Sequence, residues 1–421
     1  MRFSRSIALA LLLGTGLAFA ETSAPLTLPE VFAAIRNGHP ALAAANASTE
    51  AARARIDQET SWADPRLGID LRRGDTAMNA ETTNLGTVNE VEVKFSQEIP
   101  LSGRPQLRGL AANAETSVAS AQALRREWML LNQARLSFTR LAAADEHLAV
   151  NTRLHDNLVQ TRILTRQAYE TGQKPQMELL SLETDLAKID AERTDLESQR
   201  LQESALLNSL MLRPVETAIA PLALPAPALP ALSVSDAVAR ARARSPEITV
   251  ALRETDAAQA RLAVVRKNRA IDPELMLTAR RMRGSGDTIS SFDTGISFSL
   301  PWANPGRTRA ELVEARTRVT AARAEADAGE VEITGMVATA HARATAAFSQ
   351  VKRYQDELLP LSHASTDAAR RDYETGRASL TSVLAAQRLT LETELKLADF
   401  RTEQALASAE LCFLTSQDVQ P

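Results

Sequence analysis

The sequence predicts a mainly α-helical chain with a small β part, assembled from two similar halves. Three observations carry this. Each half contains stretches of dozens of residues almost without Gly or Pro. Four short stretches alternate apolar and polar residues. A set of landmarks also recurs about 200 residues later in the same order. Tyr169-Glu170-Thr171-Gly172 returns as Tyr373-Glu374-Thr375-Gly376, Asp64-Pro65 as Asp272-Pro273, and His39-Pro40 as Ser245-Pro246. Ile99-Pro100 with Gly103-Arg104 returns as Leu300-Pro301 with Gly306-Arg307, the second copy carrying two extra residues. One such match is chance; four in order are a tandem duplication.

Composition narrows the function classes. Of 421 residues, 44% are hydrophobic, 4% are aromatic and one is Cys, Cys412, which excludes a disulfide framework and a cysteine-built zinc site. Lys and Arg number 48 against 52 Asp and Glu, so the basic excess of a nucleic-acid binder is missing. A mean hydropathy of −0.18 excludes a polytopic helical membrane protein. It leaves open a β-barrel, whose strands are only half apolar.

The elements follow in order. Residues 1–20 read as a cleavable signal peptide: Arg2 and Arg5, an apolar run Ile7–Leu13, then Ala18-Phe19-Ala20. No Cys follows the cleavage site, so the exported chain is expected not to be lipidated. The first repeat, 21–213, opens with an Ala-rich helix from about 28 to 61 that is broken near Pro40. A strand at about 66–73 places Leu67, Ile69 and Leu71 on one face. A polar loop, Gly74–Asn89, leads to a strand at about 90–99 with Val91, Val93 and Phe95 on one face. A helical hairpin at about 104–212 follows. Its first arm spans roughly 100 Å at 1.5 Å per residue. Gly172 at its tip suits a helix end that turns back.

Residues 214–231 form a linker in which Pro221, Pro225, Pro227 and Pro230 favour a semi-rigid extended chain. The second repeat, 232–421, repeats the plan. Its strands lie at about 274–282 and 292–300, around Gly284-Ser285-Gly286. Its hairpin spans about 307–415, with one helix from Arg307 to Thr375, a tip at Gly376, and a second helix from Arg377 to Thr415. Apolar residues at three- and four-residue steps (Leu179, Leu182, Leu186, Ile189; Leu380, Val383, Leu384, Leu391, Leu395) give the hairpins coiled-coil-like seams.

Four strands are too few to close a membrane barrel, which takes at least about eight. Their apolar faces therefore have to be shared between chains: two chains supply eight strands and three supply twelve. The helices would continue away from that barrel as a second tube. The physical reading is an oligomeric conduit with one end in the outer membrane.

With its signal peptide, duplication, two strands per repeat and Tyr-x-x-Gly at both tips, the chain resembles the TolC-type outer-membrane efflux proteins. The resemblance covers essentially the whole mature chain. It implies a homotrimer with a twelve-stranded β-barrel in outer-membrane lipid and a long periplasmic α-barrel. It also implies a periplasmic adaptor docked at the tips and an inner-membrane pump below. The passage Ile99-Pro100-Leu101-Ser102-Gly103-Arg104 is similar to the Czc/Cus-type branch, which serves heavy-metal pumps of the resistance-nodulation-division class. By resemblance, Tyr169, Gly172, Tyr373 and Gly376 are adaptor-docking tip residues. Glu178 and Tyr373 belong to the periplasmic gate, and Pro100, Gly103, Pro301 and Gly306 mark the strand-to-helix turns. Glu178 would repeat around the axis as a cation-favouring ring; the alternative is a solvated helix-surface carboxylate. Ala378, Ser382 and Ala385 depart from the family at gate positions.

No catalytic set, cofactor site or metal site is visible. His39, His147, His155, His341 and His363 are dispersed, and the Met residues form no cluster. Asp64 and Asp272 precede Pro and read as turn residues. The expected function is an exit duct of a tripartite pump carrying heavy-metal cations. Drug efflux, type I protein secretion and a soluble periplasmic coiled-coil scaffold are the alternatives.

Overall fold

The computed structural model describes residues 26–72, 90–172, 175–283 and 288–416. The signal segment 1–20 and the loops Gly74–Asn89 and Gly284-Ser285-Gly286 lie outside the described residues.

Local capping sets the first helices. The Thr27 N–H donates to the Glu30 carboxylate at 3.0 Å where α1 (Leu28–Gly38) begins. His39 ends that helix, and its Nδ1 accepts the Ala41 N–H at 3.2 Å to start α2 (Pro40–Thr60). In the second half Ser233 caps α5 (Val234–Arg244). The Ser245 hydroxyl accepts from the Glu247 N–H at 3.2 Å to open α6 (Pro246–Lys267). His39 and Ser245, the paired landmarks before Pro, thus perform the same task.

Four strands form one antiparallel sheet in the order β1 (Arg66–Arg72), β2 (Glu90–Glu98), β3 (Pro273–Arg283) and β4 (Thr288–Phe298). The two halves meet at β2 and β3, with Phe95 opposite Leu277. From the sheet run α3 (Arg104–Glu170), which turns at Gly172 into α4 (Gln176–Leu210), and α7 (Pro305–Arg353). A π-helical turn, Tyr354–Leu358, joins α7 to α8 (Leu359–Glu374), and α9 (Leu380–Leu414) returns. Near the sheet the helices lie side by side as α2, α3, α6, α7; beyond it α4, α3, α9 and α7 do so. No described helix is long and apolar enough to cross a membrane.

Two apolar cores sit at equivalent levels. Val31, Phe32 and Ile35 of α1 pack with Leu130, Ala134 and Leu207, while Ala237 and Ala241 of α5 pack with Ile333, Val337 and Leu411. Leu130 and Ala134 occupy the positions that Ile333 and Val337 hold in the second half.

Three expectations need correction. The second long helix is not continuous to Thr375: Pro360 has no N–H and crowds the carbonyl four residues back, and the chain answers with the π-helical turn at Tyr354–Leu358. The return helix begins at Leu380 rather than Arg377, because Ser379 takes the N-cap and its hydroxyl accepts the Ser382 N–H at 3.3 Å. β4 begins at Thr288, ahead of the expected 292, since its pairing with β3 extends to Arg283 opposite Thr288. The Pro-rich linker, 214–231, contains no helix or strand. It lies along the helices, with Ile219, Leu222 and Leu224 buried. Asp145 Oδ2 accepts the Leu222 N–H at 2.8 Å, and Asn208 Nδ2 donates to the Thr217 carbonyl at 2.8 Å.

Candidate functional site

The sheet is inside out for a water-soluble protein. One face carries Leu67, Ile69, Leu71, Val91, Val93, Phe95, Phe292, Ile296 and Phe298, all of them exposed in the chain, with Ile69 63% and Phe292 68% accessible. The registers set these residues side by side: Ile69 opposite Val93, Phe95 opposite Leu277, Leu275 opposite Ile296. A contiguous apolar face of this kind marks contact with lipid or another protein.

The opposite face holds a cluster of ion pairs around Glu92. Glu92 is buried beneath Lys94 at 3.4 Å, Arg280 at 3.4 Å and Arg72 at 3.6 Å. Lys94 also reaches Asp70 at 2.7 Å, and Arg280 reaches Glu90 at 3.1 Å. Apolar outside and polar inside is the alternation of a transmembrane barrel strand.

At one end of the sheet the chain passes into helix, and the two halves are knotted together there. The Ile99 N–H donates to the Pro273 carbonyl at 2.8 Å. Pro100 is half-buried, and Gly103 adopts φ +73° just before α3. Asp272, buried beside β3, accepts the Ser102 N–H at 2.7 Å, the Ser102 hydroxyl at 2.7 Å and Arg104 Nε at 2.6 Å. Burial by itself raises the Asp272 carboxyl, but these donors outweigh it and hold it below the usual carboxylate range. Asp272 is therefore a keystone between the halves and not merely a turn residue. The second junction is built differently. Pro301–Ala303 forms a 3₁₀ turn, Asn304 Oδ1 accepts the Arg307 N–H at 3.3 Å, and Gly306 has no positive φ. Trp62 and Trp302 flank this end of the sheet and are exposed. Neither is among the site residues expected from the sequence; their place at strand ends is the signal that marks them, since aromatic residues girdle barrels at the membrane interface.

At the far end lie the two hairpin tips. The Gly172 N–H donates to the Tyr169 carbonyl at 2.9 Å, and the Gly376 N–H to the Tyr373 carbonyl at 3.0 Å. Both glycines sit in the left-handed region, at φ +69° and +72°, where a side chain strains the backbone. Among the described residues, and leaving aside the adjoining ones in the chain, no atom lies within 4 Å of where a Cβ would stand at either glycine. Tyr169 and Tyr373 are exposed, at 40% and 41%. The tips thus present four open residues at equivalent positions.

Glu178 lies in the first turn of α4 and is half-buried. Nearby, Arg388 of α9 binds Ser181 at 3.0 Å and pairs with Asp185, tying the two hairpins together. Ala378 is half-buried; Ser382 and Ala385 lie in the first turns of α9. The histidines serve scattered contacts: His341 Nε2 lies 3.0 Å from the Leu232 carbonyl, and His155 lies 3.7 Å from Asp190. Among the described residues no group of three metal-ligating side chains converges.

A family model described as "Outer membrane efflux protein" matches residues 32–211 and 237–417, one segment in each half. No curated protein matches the chain. Among solved structures, the outer membrane protein VceC of Vibrio cholerae superimposes with a TM-score of 0.75 at 16% identity, covering 92% of this chain and 95% of VceC. The MtrE outer membrane channel of Neisseria gonorrhoeae, in its open state, gives a TM-score of 0.74 at 18% identity, covering 94% and 91%. CusC gives a TM-score of 0.75 at 17% identity, covering 92% and 91%. At these identities the likeness speaks to the fold.

Proposed function

The chain belongs to the outer membrane efflux protein family, and from that premise we propose that it is the outer-membrane exit duct of a tripartite efflux system. The observation that carries this reading is the inverted sheet. An exposed apolar face backed by an ion-paired polar face suits a strand set with lipid outside and water inside. The sheet continues into helices of 67 and 49 residues, long enough to reach far into the periplasm. A soluble coiled-coil scaffold would leave that apolar face without purpose. Members of that family are ducts rather than enzymes.

In this reading three chains close a twelve-stranded barrel in outer-membrane lipid, and their helices form the periplasmic tube. The chain arrives through its signal peptide and remains unlipidated. Tyr169, Gly172, Tyr373 and Gly376 meet a periplasmic adaptor, below which stands a resistance-nodulation-division pump. Glu178 repeats around the axis close to the tips, where a carboxylate ring favours cations. The cargo is heavy-metal cations, supported by the similarity of the Ile99–Arg104 passage to the Czc/Cus-type branch.

A deletion strain tests the cargo when challenged with zinc, cadmium, cobalt, nickel, copper and silver beside a drug panel. Hypersensitivity to a subset of metals alone is expected. Sensitivity to drugs with metals unaffected would keep the duct and discard the metal branch; a secretion defect would point to type I export.

The tips offer a second test. Gly172→Val with Gly376→Val forces a β-branched residue into the left-handed region at a cost of roughly 1–2 kcal/mol per site. The double variant is expected to keep its oligomer and lose co-purification with the adaptor. Unchanged co-purification would remove the tips from docking.

A further inference from the structure

We infer that β4 of one chain pairs antiparallel with β1 of a second copy in a single register, Ile296 opposite Ile69, and that two ion pairs, Asp293–Arg72 and Arg307–Asp64, lock that joint. The inference rests on the reading of the chain as an oligomeric duct and supplies the contact that closes it.

The template is the joint already present between the halves. The landmarks relate β1 to β3 by 208 residues (Asp64 to Asp272) and β2 to β4 by 201 (Ile99 to Leu300). The hairpins check these offsets independently: Ile69 pairs with Val93 in the first and Leu277 with Thr294 in the second, as the same shifts require. Carrying the β2–β3 register across therefore fixes a β4–β1 register with no adjustable choice. Phe95 opposite Leu277 becomes Ile296 opposite Ile69. The bond from the Ile99 N–H to the Pro273 carbonyl becomes one from the Leu300 N–H to the Pro65 carbonyl of the second copy.

The charges of that transferred joint are complementary, which the duplication alone does not guarantee. Within the chain, Glu92 of β2 pairs with Arg280 of β3 at 3.4 Å. The residues at the equivalent positions are Asp293 and Arg72, again an acid and an arginine, now on the outer strands. Within the chain, Arg104 binds Asp272 at 2.6 Å. Its counterparts are Arg307 and Asp64, both exposed and at opposite edges of the sheet. Arg307 meanwhile holds Glu311 of its own helix at 2.9 Å, an exposed pair that is cheap to exchange. A slip of one residue would turn the apolar face of β1 to the wrong side. A slip of two in one direction would oppose Asp293 to Asp70. The helices repeat the logic: α3 rests against α6 and α9, so α7 would rest against α2 and α4 of the second copy.

Disulfide trapping tests the register. In a Cys412→Ser background, Ile69→Cys is combined with Ile296→Cys; Leu67→Cys and Leu71→Cys, each with Ile296→Cys, are the slipped controls. Opposed Cα atoms in an antiparallel pair lie about 4.5–5.5 Å apart, within disulfide reach, whereas slipped ones lie near 7–8 Å. Light scattering of the detergent-purified protein reports the oligomer separately. The expected result is an oligomer in which oxidation links most Ile69→Cys/Ile296→Cys chains covalently and several-fold fewer of the controls. In addition, Asp64→Arg and Arg307→Asp are each expected to lower the temperature at which the oligomer dissociates, and the double reversal to restore it. An oligomer that links best through a slipped pair, or through none, overturns the register while leaving the duct. Single reversals without effect overturn the Arg307–Asp64 lock. A monomer by light scattering overturns the duct reading, and the joint with it.

Discussion

Ile69→Arg is expected to empty the outer membrane of assembled protein. Ile69 stands in the middle of β1 on the exposed apolar face. An arginine facing lipid near the bilayer midplane costs about 2–4 kcal/mol, roughly 30- to 900-fold in the assembly equilibrium, and every copy in the ring would carry it. The neighbouring change Asp70→Asn is the control. Asp70 points to the other face, where it meets Lys94 at 2.7 Å, and its loss is expected to leave assembly intact. The readout is the share of the chain recovered in membranes as a heat-resistant oligomer. Equal loss for both variants would contradict the assignment of the two faces.

Asp272→Ala is the second large effect, and it acts on folding rather than insertion. The substitution strands the Ser102 N–H, the Ser102 hydroxyl and the Arg104 guanidinium at the point where the two halves meet. Removing one partner of a buried, hydrogen-bonded charge pair costs 3–5 kcal/mol; because Arg104 remains partly exposed, about 2–3 kcal/mol is expected here. The midpoint of urea unfolding, followed by the helical signal in detergent, measures it. Asp64→Ala should not move that midpoint in a dissociated chain, since Asp64 is exposed there.

The same group gives a pH dependence of defined sign. The Asp272 carboxyl is lowered on folding, so its contribution is fully present above the unfolded value near 4. It is lost as pH falls through the lower folded value. The stability gap between the native chain and Asp272→Asn should therefore be constant from pH 7 to about 5 and close only in stronger acid. A gap that closed near neutrality would assign the effect to another group.

Much of this architecture was legible in the sequence because its signals are local. Runs without Gly or Pro announce long helices, and the alternation of Leu67, Ile69 and Leu71 against charged neighbours announces a two-faced strand. What stayed hidden depends on distant partners. Asp272 looks like any residue before a proline, and its role appears only when Ser102, 170 residues away, is folded against it. The linker's prolines describe an extended chain but not the Asp145 and Asn208 side chains that hold it against the helices. The break before Pro360 was visible as a proline, yet an unbroken helical pattern on either side obscured it. The early start of β4 was obscured by a Ser-rich stretch, Ile289 to Ser291, which lacks the strict alternation seen further along. At the tips, the Tyr-x-x-Gly spacing indicated the turn, and the backbone of Gly172 and Gly376 supplies its physical reason.

Fractionation of native membranes, with gel migration compared before and after heating, addresses the central claim most directly. An outer-membrane duct would sediment with the outer membrane, resist alkaline carbonate extraction and run unheated as a trimer that collapses to a 45.6 kDa chain on boiling, or slightly less once its signal peptide is removed. Release by carbonate as a species whose migration ignores heating would contradict a lipid-facing barrel and return the molecule to a periplasmic scaffold.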